Sequence, residues 1–404
     1  MVVKQNVPMD HRFIVSDERI RISLSDFVLR WWVPMASSSP DTIVIGGGII
    51  GASIAWKLAL AGLHVTLVDA GSVGGEASWA GAGMLAPGGE IVSREPWLDL
   101  ALESMRVYPG FVEELQAASG VTIDYRVCGG IDVAFDDGDW HALASRAERQ
   151  RALGIGSTNL DRQGLRDLIP LCDREYAGAI FYPDDTLVDP REIMRALTMA
   201  CRAARVEIRE GWHATALHVS RGSVLVESPA DRLHASSAVL AAGAWSTGIA
   251  ISGTALPPLP TAFPVKGILT SYPLEPGVLR PILRHGHTYL LQRATGVMIA
   301  GTTSEQLGFD RSLDQRSIDG ITSRVNELFP WISGHQPTAA WAGFRPAADA
   351  PGPLIHRAGD TGLWLAYGHY RNGILLAPVT ARLVSEGIVA AGNSAAPQAQ
   401  AVSP

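Results

Sequence analysis

The hydrophobic pattern is most regular between Asp41 and Asp69, where two short apolar runs flank a glycine turn and a helical segment. The β-branched run Thr42 to Ile45 predicts a buried strand, and His64 to Val68 predicts a second one. Between them, Ala52 to Ala61 carries apolar residues at helical spacing, and Gly62 predicts the end of that helix. This order of strand, helix and strand predicts a βαβ unit with parallel strands.

The remainder of the chain alternates between helical spacing and short runs typical of strands. Helical spacing predicts helices over Pro96 to Ser119, Trp140 to Leu153, Arg191 to Arg205, Asp319 to Phe329 and Leu375 to Val389. Apolar or alternating runs predict strands within Val121 to Phe135, Val206 to Arg209, Trp212 to Val226, Ala238 to Ser246, Val265 to Thr303 and Leu363 to Ala366. Asp189-Pro190 predicts a helix start with proline at the first position. The alternating stretches after Val265 indicate an antiparallel sheet in a second domain.

The glycine turn between the first strand and helix has the GxGxxG spacing of a dinucleotide-binding unit. Gly46 permits the tight turn, Gly48 lets the backbone approach a pyrophosphate, and Gly51 lets the helix pack closely on the strand. Free N–H groups at the helix N-terminus favour phosphate. Asp69 follows the second strand, where an acidic residue accepts from ribose hydroxyls. FAD and NAD are both compatible with this stretch, and a glycine turn without a ligand is the alternative.

A second glycine-rich loop, Gly74 to Leu85, follows Asp69. Because it has few large side chains, its backbone could lie flat along an extended ring system. Its sequence, Gly-Gly-Glu-Ala-Ser-Trp-Ala and then Gly83-Met84-Leu85-Ala86-Pro87, resembles the flavin loop of glycine oxidases. These enzymes belong to the D-amino-acid oxidase family of FAD-dependent amine oxidases and serve thiazole synthesis for thiamine. The resemblance recurs from Asp41 to about Val389.

The resemblance implies an α/β fold in which a Rossmann-like FAD-binding domain of the glutathione-reductase type is interleaved with an antiparallel-sheet α+β substrate domain. The implied FAD-binding segments are 41–120, 185–255 and 340–391, and the substrate segments are 121–184 and 256–339. The implied FAD contacts are Gly46, Gly48, Ile49, Ile50, Gly51, Asp69, Ala70, Ala77, Ser78, Ala82, Gly83, Met84, Ala216, His369, Tyr370, Arg371, Asn372, Gly373, Ile374 and Leu375. FAD is expected to bind non-covalently, since no cysteine follows Cys201, where related sarcosine oxidases attach their flavin.

Two arginines in apolar surroundings, Arg345 and Arg371, are candidates to bind a substrate carboxylate, because a guanidinium binds a carboxylate with two parallel hydrogen bonds. A buried structural ion pair explains either residue equally well from the sequence alone. The resemblance assigns Arg345, in Gly-Phe-Arg-Pro, to the carboxylate. It places Arg371 nearer the flavin and Tyr289 beside Arg345 in the substrate pocket. These three residues are the predicted catalytic set.

The reaction that the resemblance implies is hydride transfer from the substrate α-carbon to flavin N5. The imine product then hydrolyses to an oxo acid, glyoxylate from glycine, and ammonia, and dioxygen yields hydrogen peroxide. The substrate is glycine or a small D- or N-methyl amino acid, and Ser304, where the family has methionine, leaves the preference open. The alternatives are a D-amino-acid dehydrogenase with another electron acceptor, an FAD enzyme that demodifies a tRNA base, and a non-catalytic FAD-binding protein. Thiazole synthase is an expected partner, and a homo-oligomer is the expected assembly.

Composition narrows these classes further. The 404 residues carry a formal net charge of −7, which argues against nucleic-acid and anionic-membrane surfaces. The three cysteines have neither metal-site nor disulfide spacing, which suits the cytoplasm. No uninterrupted run of apolar residues is long enough to predict a membrane span. Residues 1–40 are predicted to be a disordered extension, or, over residues 1–34, the product of an over-called start codon upstream of Met35, and residues 392–404 are predicted to be a disordered tail.

Overall fold

A computed structural model describes residues 39–395 except residues 173, 254 and 255. The predicted extension lies outside the described residues apart from its last two, and the predicted tail lies outside them beyond residue 395. Within residues 392–395 the prediction of a tail is wrong, because the last helix runs from Gly373 to Ala395 instead of ending at Val389. Alanines after Val389 favour the helix, and Gly392 by itself costs only about 1 kcal/mol there.

A six-stranded sheet carries the first predicted strand near its middle. Its strands in spatial order are Leu354–Arg357, Leu363–Tyr367, Ser237–Leu240, Thr42–Ile45, Val65–Val68 and Glu207–Arg209. Neighbours are parallel except for the first two, which are antiparallel. Parallel sheets are buried on both faces, which explains why these strands read as continuous apolar runs.

The two faces of the six-stranded sheet are covered differently. Val44 faces a core shared with the helices Ile49–Leu60, Leu98–Ser119, Pro190–Ala203 and Gly373–Ala395. Ile43 and Ile45 point the other way, towards a four-stranded sheet of Arg232–Ala235, Ser223–Glu227, Ala216–Ser220 and Ala250–Gly253. This alternation follows from the two-residue period of a strand. Three layers result, with helices, a mostly parallel sheet and a small, mostly antiparallel sheet.

An eight-stranded, mostly antiparallel sheet forms the other half of the molecule. Its strands in order are Ala339–Ala348, Ala262–Pro273, Val297–Gly301, Thr288–Gln292, Ile282–His285, Gly130–Ala134, Gly178–Tyr182 and Thr158–Leu160. The helices Arg162–Leu168 and Gln315–Leu328 pack on one face, and helix Asp137–Ala152 contacts strands Gly130–Ala134 and Gly178–Tyr182. Met84–Leu85, Thr186–Val188 and Tyr125–Val127 form a small third sheet. The short helices are Ala77–Ala80, Pro87–Glu90, Gly243–Gly248 and Pro330–Gly334. The predicted α/β fold class, a Rossmann-like domain with an antiparallel-sheet domain, is confirmed.

The structure also differs from the predicted elements in two places. The sequence predicts no strand just before the helix start at Asp189-Pro190, but strand Thr186–Val188 lies there. Strand Ala339–Ala348 falls in the predicted FAD-binding segment 340–391, yet it pairs along its length with Ala262–Pro273 in the eight-stranded sheet. The pattern could not reveal that pairing, because strand partners are chosen by tertiary contacts. The segment limits themselves stay a prediction.

The helix that begins at Pro190 returns the chain to the six-stranded sheet. The Asp189 side chain accepts hydrogen bonds from the backbone N–H groups of Arg191, at 2.8 Å, and Glu192. Aspartate satisfies free N–H groups at a helix start, and proline at the first position has no N–H to satisfy. The predicted start of this helix is therefore confirmed.

Among the described residues, helix Gly373–Ala395 is long and apolar enough over Gly373–Gly392 to cross a membrane by length and composition alone. The sequence analysis did not predict a helix that passes this test. Leu376, Ala377 and Val384 are fully buried in the core shared with helices Ile49–Leu60 and Leu98–Ser119. That packing is typical of a central core helix, whose apolar surface is covered by protein.

Candidate functional site

A cavity of about 700 Å³ is lined by residues from both main sheets. Gly46, Asp69 and Ala241 line it on the side of the six-stranded sheet, and Tyr289 and Arg345 line it on the side of the eight-stranded sheet. Cofactor and ligand sites commonly occupy such clefts, at the carboxyl ends of parallel strands.

The glycine turn forms one end of this cavity and has no room for side chains. Gly46 has φ +104°, and a Cβ atom there would lie 2.3 Å from the Ala241 carbonyl oxygen. A Cβ atom on Gly51 would lie 1.9 Å from the Gly46 carbonyl oxygen. The N–H groups of Gly48, Ile50 and Gly51 have no protein partner among the described residues. Free N–H groups at the start of a helix create a site that favours phosphate.

Asp69 organises this turn as well as lining the cavity. One carboxylate oxygen accepts from Gly47 N–H at 2.6 Å, and the other accepts from Gly71 N–H at 2.7 Å. Ser78 supports the helix start, because its hydroxyl accepts from Ile49 N–H at 2.9 Å. Ala70 and Ala77 line the cavity beside them. Charge-assisted hydrogen bonds of this kind are stronger than neutral ones, so the Asp69 carboxylate fixes the shape of the turn.

The second glycine-rich loop lines the middle of the cavity through Ala82, Gly83 and Met84. Gly83 has φ +84°, and a Cβ atom there would lie 1.9 Å from the Val188 carbonyl oxygen. Only glycine adopts this conformation at so close an approach without strain. At Gly83 the loop therefore presents backbone to the cavity.

Four arginines line the cavity, and three of them already have carboxylate partners. Arg284 pairs with Asp132 at 2.5 Å and with Asp185 at 2.7 Å. Arg311 pairs with Glu76 at 2.6 Å, and Arg371 pairs with Glu90 at 2.9 Å, and these four residues belong to the lining too. Arg345 has no carboxylate within ion-pair distance among the described residues. One uncompensated guanidinium therefore faces the cavity.

Arg345 is held by neutral oxygens only. Its terminal nitrogens donate to the Thr303 carbonyl at 3.1 Å and to the Thr302 hydroxyl at 2.8 Å. Burial lowers the pKa of Arg345. Burial raises the pKa of Tyr289, against the opposing charges of Arg345 and Arg371, so the phenol keeps its proton and can donate it in a hydrogen bond. A buried cation without a counter-ion is costly, and an anionic ligand relieves that cost.

The block from His369 to Ile374 lines the cavity ahead of helix Gly373–Ala395. Burial lowers the pKa of His369 to about 3, so this imidazole is neutral near pH 7. Its Nε2 lies 3.1 Å from the Thr380 hydroxyl. Burial by itself would lower the pKa of Arg371, but the adjacent Glu90 carboxylate raises it. Arg371 is thus a paired cation, which the sequence could not distinguish from an unpaired one.

The structure brings most of the predicted site residues to this one cavity, with three exceptions. Gly51, Ala216 and Leu375 are not among its lining residues, and Trp212, His213 and Ala214 line it just before Ala216. The sequence analysis also missed lining residues that include Glu76, Glu90, Arg284 and Arg311. Glu76 and Glu90 belong to or adjoin the second glycine-rich loop, so proximity to that loop was an available signal. The sequence offers no signal for Arg284 and Arg311, because nothing in their local sequence distinguishes them from ordinary arginines in strands and loops.

Within the described part of the chain, no three histidine, cysteine, aspartate or glutamate side chains are grouped to hold a metal ion. The cavity instead combines a phosphate-favouring turn, a backbone-lined middle and one uncompensated guanidinium. A dinucleotide joined to a flat ring fits the first two features, and a small carboxylate fits the third.

Comparison with known proteins agrees with that chemistry. The family model described as FAD dependent oxidoreductase matches residues 41–387. The glycine oxidase of Bacillus subtilis (strain 168) is 32% identical over 353 residues, which cover 86% of this chain and 93% of that protein. The bifunctional protein ThiO/ThiG of Synechocystis sp. is 34% identical over 363 residues, which cover 87% of this chain and 52% of that protein. This chain therefore spans about half the length of the bifunctional ThiO/ThiG protein.

Solved structures agree on the fold. The crystal structure of glycine oxidase from Geobacillus kaustophilus superposes with a TM-score of 0.82 at 27% identity, covering 87% of this chain and 95% of that one. Glycine oxidase from Bacillus cereus gives a TM-score of 0.80 at 26% identity, with 87% and 95% coverage. The described architecture is therefore shared by both glycine oxidase structures.

Proposed function

The chain belongs to the family of FAD dependent oxidoreductases, and we propose that it is an oxidase of glycine or of a small D- or N-methyl amino acid. The observation that carries this proposal is the single uncompensated guanidinium of Arg345 beside the Tyr289 hydroxyl in the cofactor cavity. One free cation matches one substrate carboxylate. The similarity to the glycine oxidase of Bacillus subtilis supports the same substrate class.

FAD is the cofactor, and the residues of the cavity fit it. The unpartnered N–H groups of the glycine turn would hold the pyrophosphate, and Asp69 would lie close to the adenosine ribose. The backbone of Ala82 and Gly83 would line the flavin ring, together with Met84. We propose non-covalent binding.

The substrate would bind with its carboxylate on Arg345 and the Tyr289 hydroxyl, which fixes the α-carbon against the ring. When bound, FAD would supply the chemistry, by accepting hydride from the α-carbon and passing the electrons to dioxygen as hydrogen peroxide. The chain's own contribution is orientation and exclusion of water. The imine product would hydrolyse to an oxo acid, glyoxylate from glycine, and ammonia.

A second, smaller cavity bears on how large a substrate side chain the protein can accept. It has a volume of about 460 Å³ and is lined by Ser304 and Gln306 together with Arg371, which it shares with the main cavity. This space adjoins the proposed pocket and leaves room beyond glycine. We therefore include D-alanine and sarcosine among the candidate substrates.

The proposed partner is a thiazole synthase that consumes the imine for thiamine synthesis. The bifunctional protein ThiO/ThiG of Synechocystis supports a link between this kind of chain and a second activity. A homo-oligomer and a cytoplasmic location complete the proposal. Growth of a strain that lacks this protein, with and without added thiamine, tests the pathway, and thiamine-independent growth would contradict it.

The proposed activity is tested by visible absorbance of the purified protein under anaerobic conditions. We expect the flavin bands to bleach on addition of glycine, D-alanine or sarcosine, and to return with hydrogen peroxide when air is admitted. Bleaching without recovery in air would indicate a dehydrogenase that uses another acceptor. A flavin that none of the three amino acids bleaches would contradict the proposed substrate class.

Replacing Asp69 by alanine is expected to weaken FAD binding by about tenfold to a hundredfold, because hydrogen bonds to a charged group contribute about 1.5–3 kcal/mol each. Two such bonds shape the glycine turn. Fluorescence titration of the apoprotein with FAD measures the change. Asp41→Ala is the matched control, since Asp41 also accepts from a backbone N–H, that of His64, outside the cavity lining. Equal affinities for the Asp69 variant and the control would refute a role for Asp69.

A further inference from the structure

We infer that Arg293, which does not line the cavity, is a positioning residue that orients the second glycine-rich loop towards the cofactor. Arg293 follows strand Thr288–Gln292 in the eight-stranded sheet, at the turn that leads to Val297. Its side chain is only 8% exposed. The residue therefore reaches from one half of the molecule into the loop of the other.

The reason for this role lies in an incomplete strand pair. Met84 pairs with Leu187 in an antiparallel ladder, so Gly83 lies opposite Val188. The Val188 N–H donates to the Gly83 carbonyl at 2.9 Å. In a regular ladder such a pair exchanges two hydrogen bonds, and the Gly83 N–H would donate to the Val188 carbonyl. These two described residues do not form that second bond, because φ of +84° at Gly83 turns its N–H out of the ladder.

Arg293 donates to the Val188 carbonyl, the acceptor to which the Gly83 N–H does not donate. One terminal nitrogen donates to the Val188 carbonyl at 2.6 Å, and the other donates to the Ala82 carbonyl at 2.5 Å. Its Nε lies 3.5 Å from the carboxylate of Asp189, which caps the next helix. One guanidinium is thus hydrogen-bonded to both strands of the interrupted ladder. A lysine, with a single nitrogen, cannot repeat this planar arrangement.

The consequence for the cofactor follows from the geometry of a peptide. In a trans peptide the carbonyl and the next N–H point in opposite directions. Arg293 draws the Ala82 carbonyl to itself, so the Gly83 N–H is directed away from Arg293. That N–H has no protein partner among the residues described here, and Gly83 lines the cavity. Arg293 therefore keeps a backbone donor available to the polar edge of the flavin ring, and adds a positive charge behind the loop.

The test compares Arg293→Met and Arg293→Lys with the wild type and with Arg126→Met. Arg126 is a matched control because it donates to the Gln292 carbonyl on the same hairpin, at 2.7 Å, but forms no hydrogen bond with any described residue of the second glycine-rich loop. The measurements are the dissociation constant for FAD, the absorbance spectrum and reduction potential of the bound flavin, and the melting temperature of the apoprotein. None of them requires turnover.

We expect Arg293→Met to weaken FAD binding about tenfold or more, to alter the flavin spectrum and to make the reduction potential more negative, since a donor and a charge near the reduced ring are lost. Arg293→Lys should lie between this variant and the wild type, and should be measured alone if Arg293→Met does not fold. Arg126→Met should resemble the wild type in all flavin properties.

A lower melting temperature of the Arg293 variants with an unchanged flavin spectrum, potential and FAD affinity would assign the residue a structural role only and overturn the inference. The inference rests on FAD binding and not on the proposed substrate. A wild-type flavin that glycine fails to reduce would contradict the proposed function, while the spectra and affinities would still decide the role of Arg293.

Discussion

Replacing Arg345 by methionine is expected to lower kcat/KM for glycine by about a hundredfold to several thousandfold, since losing one partner of a buried charge pair costs about 3–5 kcal/mol. The loss should appear mainly as a higher KM, because the guanidinium binds the carboxylate before and during the reaction. FAD affinity should change little, since Arg345 bonds to Thr302 and Thr303 and to none of the phosphate-turn residues. Steady-state kinetics and FAD titration measure the two effects separately.

Two further variants make this result specific. Arg345→Lys keeps the charge but loses the paired geometry, and we expect it to recover only part of the activity. Arg357→Met is the control, since Arg357 is a part-buried arginine that likewise donates to a carbonyl oxygen, that of Thr361, but does not line the cavity. Loss of bound FAD in the Arg345 variants, or kinetics equal to those of the Arg357 variant, would show that the carboxylate site has been assigned wrongly.

Replacing Gly51 by alanine is expected to abolish FAD binding and to destabilise the protein by about 3 kcal/mol. The added methyl group would lie 1.9 Å from the Gly46 carbonyl oxygen, and that oxygen belongs to the backbone, so no side chain can rotate away. The helix must therefore move off the strand, and the N–H groups that favour phosphate move with it. Urea unfolding of the apoprotein and FAD titration measure the two consequences.

A matched glycine in another helix provides the comparison. Gly110 lies inside helix Leu98–Ser119, and a Cβ atom there would meet nothing within 4 Å. We expect Gly110→Ala to stabilise the protein by about 0.5–1 kcal/mol, because alanine loses less conformational freedom in a helix. It should leave FAD affinity unchanged. A Gly51→Ala variant that kept wild-type FAD affinity would contradict the close packing at the glycine turn.

The sequence by itself determined the elements whose signals are local. A glycine turn between two apolar runs predicts its own conformation, and so the first strand, helix and second strand were found near their observed limits. The Asp189-Pro190 helix start is local in the same sense. The small residues of the second glycine-rich loop also predicted a backbone-lined surface, because the absence of side chains is visible in the sequence. Resemblance to a known family then separated FAD from NAD, which the turn could not do.

Only the tertiary structure decided which charges are free. Arg345 and Arg371 are alike in the sequence, but Glu90 pairs with Arg371, and no described carboxylate lies within ion-pair distance of Arg345. Arg284 and its partners Asp132 and Asp185 are brought together from distant parts of the chain. Strand Ala339–Ala348 joined the eight-stranded sheet, although its position in the sequence placed it with the cofactor segment. Ion pairs and strand partners depend on contacts between residues far apart in the sequence, whereas turns, caps and strand runs depend on neighbours along the chain.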